Sequence, residues 1–347
     1  METACLLIAL LLPWLSGVLL LAAWLPRSHA ASLIGYGFFF GQGLLYLFLG
    51  LSAWLWGSFS FPLVAGMLVL AAILLWPAAR RRPWGGDFGS AAPGAAGRLA
   101  WFVLAAAALH WLFSVFEILH QPVFPWDGWA SWLYRAKAWF HAGAFLPFQA
   151  PAAALETASN AYAVPGHDYP GLYPATALWV ALALGHWSET LVNLPLAGCA
   201  LALGLALYGQ ARDYGLNRLH ASVAPYLFLS MPLVGAHLSL GGHADAWMAG
   251  YAGLGFVALF HGVVHRRGGD MLLAYVDHHD DAYAWAERRR LDVHPRTGAA
   301  QIVEIRERVE DVVVPRQVEE TAAPAAQPVF AGLDADRLLG LGVPEDW

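Results

Sequence analysis

The chain has 347 residues, 59% of them apolar, and a mean hydropathy of +0.50. That exceeds the roughly 45–50% apolar content of soluble domains, and 17 Trp and 18 Phe suit a lipid solvent. The formal net charge of −6 hides a division: residues 1–267 hold 11 Arg and Lys against 9 Asp and Glu, whereas residues 268–347 hold 8 against 16. Both cysteines, Cys5 and Cys199, lie in apolar runs, which excludes a disulfide framework and a thiolate metal site. Arg outnumbers Lys 18 to 1, as in proteins of GC-rich bacteria.

A helix rising about 1.5 Å per residue needs about 20 apolar residues to cross a hydrocarbon core of about 30 Å. The first apolar run, 4–25, has no basic residues before it and is long for a cleaved signal, so it is predicted as a retained span. Further spans are predicted at 32–56, 61–78, 99–119, 189–208, 221–238 and 245–264, giving seven. The run 171–185, opening Gly171-Leu172-Tyr173-Pro174, is short for a span.

Cytoplasmic loops are enriched in Lys and Arg. Arg80, Arg81, Arg82 and Arg98 therefore put the loop 79–98 inside, and alternation puts Arg27 inside and the loop 120–170 outside. If 171–185 crossed the membrane, Arg212, Arg218, Arg266 and Arg267 would all fall outside. Treated as a re-entrant or juxtamembrane helix, it returns all four to the inner side. The expected fold class is thus an all-α polytopic membrane protein of seven spans plus one short helix, with the N-terminus outside and a soluble α+β or partly disordered tail on the cytoplasmic side.

This topology gathers the acids on the outer face. In the fourth span His110, Glu117 and His120 share one side, and Glu117 near the outer end is a candidate for lining a site. Asp127 precedes a segment with Trp129, Trp132 and Trp139 near helical spacing, which suits an amphipathic helix in the headgroup zone. Asp127 either caps that helix or acts as general base on an incoming hydroxyl. Arg135 and Lys137 either snorkel to headgroups or face a phosphate leaving group. The loop closes with His167-Asp168-Tyr169-Pro170, whose prolines stiffen the approach to the short helix. Asp245, in Gly241-Gly242-His243-Ala244-Asp245, either caps the last span or stands at the membrane edge beside glycines that permit close approach, with His243 next to it.

Together these residues resemble the GT-C superfamily of membrane glycosyltransferases, in particular its protein mannosyltransferase and aminoarabinose transferase branch, over about 99–265. Asp127 matches that group's early loop aspartate, Tyr169-Pro170 and Tyr173-Pro174 its Tyr-Pro motif, Arg212 and Arg218 its basic turn, and Asp245 its later acid. The resemblance implies transfer of a sugar from a polyprenyl-phosphate donor to an envelope acceptor on the non-cytoplasmic face of a bacterial inner membrane. Asp127 and Asp245 are then catalytic, and Glu117, Arg135, Lys137, His167, Asp168, Tyr169 and His243 bind substrate. No cofactor motif is present; a divalent cation is compatible with the carboxylates, but no residue is assigned to a metal, and no nucleic acid is expected to bind the membrane part. The chain departs from the family in having Gly128 where a second acid often follows, three additional leading spans, and no apolar run after Val264. The alternatives are a GT-C core left inactive by truncation, a non-enzymatic transporter or flippase component, and a defective fusion product.

From Gly268 the sequence is about 30% charged. Met271–Val276 is predicted as a strand, Ala282–Leu291 as a helix and Gln301–Val314 as a strand or helix. The run Asp277-His278-His279-Asp280-Asp281 is a poor metal site, because adjacent strand residues point to opposite faces. The stretches Tyr275–Arg289, His294–Gly298 and Leu341–Pro344 resemble a segment that follows a RelE-like domain in some bacterial UvrD-type DNA helicases, without the phosphate loop of the motor. The expected organisation is three spans with an Arg loop over 1–98, a GT-C-like core over 99–267, and a foreign tail over 268–347, the junction marking a fused or misassembled reading frame.

Overall fold

The computed structural model describes residues 2–25, 28–81, 95–156 and 161–260, with the backbone of two strands at 289–293 and 300–304. The chain divides into two units, Met1–Met271 and Leu272–Trp347.

The first unit is helical: α1 (Glu2–Trp24), α2 (Ala30–Trp56), α3 (Phe61–Ala79), α4 (Ala95–His120), α5 (Leu133–Ala142), α6 (Pro151–Glu156), α7 (Leu172–Leu184), α8 (Leu194–Asp213), α9 (Arg218–Ser230), α10 (Pro232–Ser239) and α11 (Asp245–Phe260). Helices α1 to α4 and α8 with its leading turn are long and apolar enough to cross a membrane. Leu11, Ile73, Phe102 and Phe113, among other large apolar side chains on these helices, are exposed, as lipid-facing groups are. The described unit has the build of a helical membrane protein.

Small residues let the central helices meet backbone to backbone. Gly17 on α1 lies against Gly37 and Gly41 on α2, and Gly35 and Gly209 bring α2 onto α8, so a Cβ at any of these positions would collide with the opposing main chain. The hydroxyl of Ser16 donates to Leu68 O at 3.2 Å, tying α1 to α3. At the far end of α2, Asp213 accepts from His29 N and from Ser32 Oγ, each at 2.6 Å. Its carboxylate supplies partners at the N-terminus of α2, where backbone N–H groups lack intrahelical acceptors.

The stretch predicted as one span at 221–238 is two helices, α9 and α10, bent by 57°. Pro232 has no N–H and disfavours the α conformation at the residue before it, and Met231 accordingly adopts φ −67° and ψ 122°. The short helix α7 has 13 residues and is buried on nearly every side. Its first turn meets Trp132 and Trp247 through Tyr173. The chain then returns so that Asn193, at the start of α8, packs against Gly241. Helices α7 and α8 therefore both open at the end of the bundle that carries Gly241 and Trp247.

In the second unit, β1 (Arg289–Val293) pairs antiparallel with β2 (Ala300–Glu304), with Leu291 opposite Ile302. Of the helix predicted over Ala282–Leu291, residues 289–291 are strand, in a segment whose Val293, Ile302 and Val303 are β-branched types that favour a pleated backbone, and residues 282–288 lie outside the described residues. The predicted strand at Met271–Val276 and the run Asp277–Asp281 lie outside the described residues, as do Arg27, Arg82, Arg266 and Arg267.

Candidate functional site at the loop end of the bundle

The loop after α4 folds back on the bundle through Gly128. A Cβ at Gly128 would lie 3.0 Å from Gly242 Cα, and one at Gly242 would lie 2.6 Å from Gly128 Cα. Only two glycines can touch in this way, and Gly242 also has φ +111°, a conformation side chains avoid. Asp127 immediately precedes one of these glycines and His243 immediately follows the other, so turns more than 100 residues apart meet at one point.

Asp127 begins a π-helical turn, Gly128–Trp132, that continues into α5. Its side chain is exposed and makes no cap hydrogen bond. The carboxylate is therefore not consumed by capping, one of the two roles its position allowed.

Across the contact, Asp245 opens α11 and receives two imidazoles. His237 Nδ1 lies 3.3 Å and His243 Nδ1 3.6 Å from Asp245 Oδ2, and the two rings are 5.0 Å apart. His237 comes from the last turn of α10, and its Nδ1 is buried without a hydrogen-bond partner. Sequence reasoning missed His237: alone in an apolar run it carries no motif, and only the bend at Pro232 and the turn at Gly241-Gly242 bring it to Asp245. Its spacing of six residues before His243 was the available signal.

An aromatic series holds the loop in place. Tyr169 stacks on Trp132 at 4.9 Å, Trp132 meets Tyr173, and Tyr173 meets Trp247. Ser131 Oγ donates to Pro165 O at 2.6 Å. Arg135 is buried, with Nη1 donating to Tyr169 O at 2.7 Å and its guanidinium over the rings of Trp139 and Phe148. Burial pushes its pKa below the usual arginine value, with Tyr46 and Asp168 acting in the opposite direction. In this structure Arg135 ties the two ends of the loop together.

The remaining candidates spread over the same end. Lys137 pairs with Glu189 at 2.7 Å, both about half exposed, and lies over Trp187. His167 and Asp168 are exposed neighbours 3.9 Å apart. Glu117 accepts from Gln121 one turn on, His110 meets Tyr226 edge-on, and His120 folds back to Phe116 O. Trp139, expected at the wet edge, is buried with its indole N–H unpartnered, whereas Trp126 and Trp129 are exposed. Apart from Arg135, the described arginines of the first unit, Arg80, Arg81, Arg98, Arg212 and Arg218, sit at helix termini that alternate with those of the loop end.

Comparison with known proteins finds no matching family model, curated protein or solved structure.

Proposed function

We propose that the chain is a membrane glycosyltransferase of GT-C type, working at its loop end on a polyprenyl-phosphate-linked sugar and an envelope acceptor. The contact between Gly128 and Gly242 carries this reading, because it joins the two acid-bearing turns whose chain order resembles that superfamily. In the proposed reaction an acceptor hydroxyl attacks the anomeric carbon, its proton passes to Asp127, and the bond from that carbon to the phosphate oxygen breaks, releasing polyprenyl phosphate. The uncapped, exposed Asp127 suits a general base. The arginine-bearing helix ends, on the cytoplasmic side by the rule of positive charge, set the loop end on the outer side. On this reading α11 and the bent pair α9 and α10 each count as a span beside the five long helices, making seven, with α7 re-entrant.

Radiolabelled polyprenyl-phosphate sugars supplied to membranes containing the chain test this directly. Transfer by the natural chain and a loss of about a hundredfold or more in Asp127→Asn are expected, within the range general bases contribute. Equal transfer by both removes Asp127 as base. No transfer by either favours a non-enzymatic membrane protein.

A further inference from the structure

We propose that His237, His243 and Asp245 form a binding site for a divalent cation of the zinc class, a site independent of the transferase reading because it needs only these three side chains. The ligand atoms they offer all lie within 4.8 Å of one another. Tetrahedral zinc with bonds of about 2.0–2.2 Å sets its ligand atoms roughly 3.3–3.6 Å apart. The two imidazole-to-carboxylate separations, 3.3 and 3.6 Å, already match that spacing. The ligand atoms of the two imidazoles lie within 4.8 Å of each other, and ion binding would draw them to that spacing.

Two further observations point to a cation rather than a plain ion pair. His237 Nδ1 is buried and makes no hydrogen bond although Asp245 Oδ2 is 3.3 Å away. Both Nδ1 atoms also converge on the same carboxylate oxygen, a crowding that a shared metal relieves by accepting one lone pair from each group. Two imidazoles and one carboxylate select a borderline transition ion such as Zn²⁺ over Mg²⁺ or Ca²⁺, which prefer all-oxygen shells. Asp245 is 61% exposed, so the open side faces out of the cluster and leaves a fourth position for water or a phosphate oxygen. The ligands rest on the bend at Pro232, which brings the end of α10 to the start of α11, and on the left-handed Gly242 between them.

The test is direct binding to the full chain in detergent or nanodiscs after chelator treatment, using Zn²⁺ in equilibrium dialysis with Mg²⁺ in excess. About one Zn²⁺ per chain is expected, with affinity reduced at least about tenfold in His237→Ala, in His243→Ala and in Asp245→Asn. His278→Ala/His279→Ala removes adjacent histidines of the second unit and is expected to leave this binding unchanged. A second measurement needs no variant: Zn²⁺ is expected to protect His237 and His243 of the natural chain from diethylpyrocarbonate, read by mass spectrometry, while His167 stays reactive. Absence of stoichiometric Zn²⁺ binding, equal binding by the three variants, or unprotected His237 and His243 would each overturn the site. Because the readout is metal and not transfer, a chain that binds Zn²⁺ but transfers no sugar sinks only the transferase reading.

Discussion

At the scale of single residues, side chains chosen for chemistry divide into those that are exposed and those that build the scaffold. Asp127 was legible because an acid before a Trp-rich segment is conspicuous, and its freedom from capping emerges only from the geometry. Arg135 and Lys137 look alike in sequence, yet one is buried among aromatic rings and the other pairs in solvent with Glu189, a partner 52 residues away. Arg135→Met is expected to cost about 1.5–3 kcal/mol, the worth of a charge-assisted bond, measured as faster proteolysis of the 143–170 loop. Lys137→Met removes an exposed pair and should change that rate little. His29 gives a pH dependence: burial lowers its pKa below the ordinary 6.5, Asp213 acting oppositely and Arg212 and Arg218 reinforcing the shift. The unfolded chain then takes up the proton first, so His29 contributes stability above about pH 6.5 that is lost as pH falls below it. Thermal unfolding of His29→Gln in detergent should show a shallower loss as pH falls below about 6.5 than the natural chain.

At the scale of elements, apolar length alone located the long helices, because crossing lipid requires every backbone group to be bonded within its own segment. What length could not reveal was the break at Met231-Pro232, which lies inside an unbroken apolar run and becomes visible only by asking what Pro232 does to its neighbour. Helix contacts depend on small residues whose role is equally silent in a hydropathy profile. Gly41→Leu would drive a side chain into the main chain of Pro13 on α1, and the variant is expected not to accumulate as folded protein. Gly66→Leu is the control, since a Cβ there meets nothing within 4 Å, and it should accumulate normally. Size-exclusion chromatography of the two variants in detergent checks both outcomes. Gly128→Ala acts on the site without touching its acids: displacing the loop by up to about 1 Å should cost transfer on the order of a hundredfold.

At the scale of the whole molecule, the described helix ends divide into those that carry arginines, with Asp213 among them, and those that carry the loop acids, with Arg135 and Lys137 beside them. Arginine-bearing turns and the acid-bearing loops fall at alternate helix termini, and α7 and α8 both open at the acid-bearing end. The charge pattern was readable from sequence, whereas the meeting of turns 128 and 242 was not, because nothing local to either glycine names its partner. If the topology is as proposed, a membrane-impermeant maleimide will label Asp168→Cys in intact cells and label Leu216→Cys only after permeabilisation. Labelling of both from outside would make α7 a full span. Cysteine cross-linking shows whether the Asp127 and His243 turns form one site. In a chain with Cys5 and Cys199 replaced by alanine, Asp127→Cys/His243→Cys should join through a short bifunctional thiol reagent in native membranes, while Asp127→Cys/Leu216→Cys should not. Failure of the first pair to link, with both positions separately reactive, would contradict a shared site.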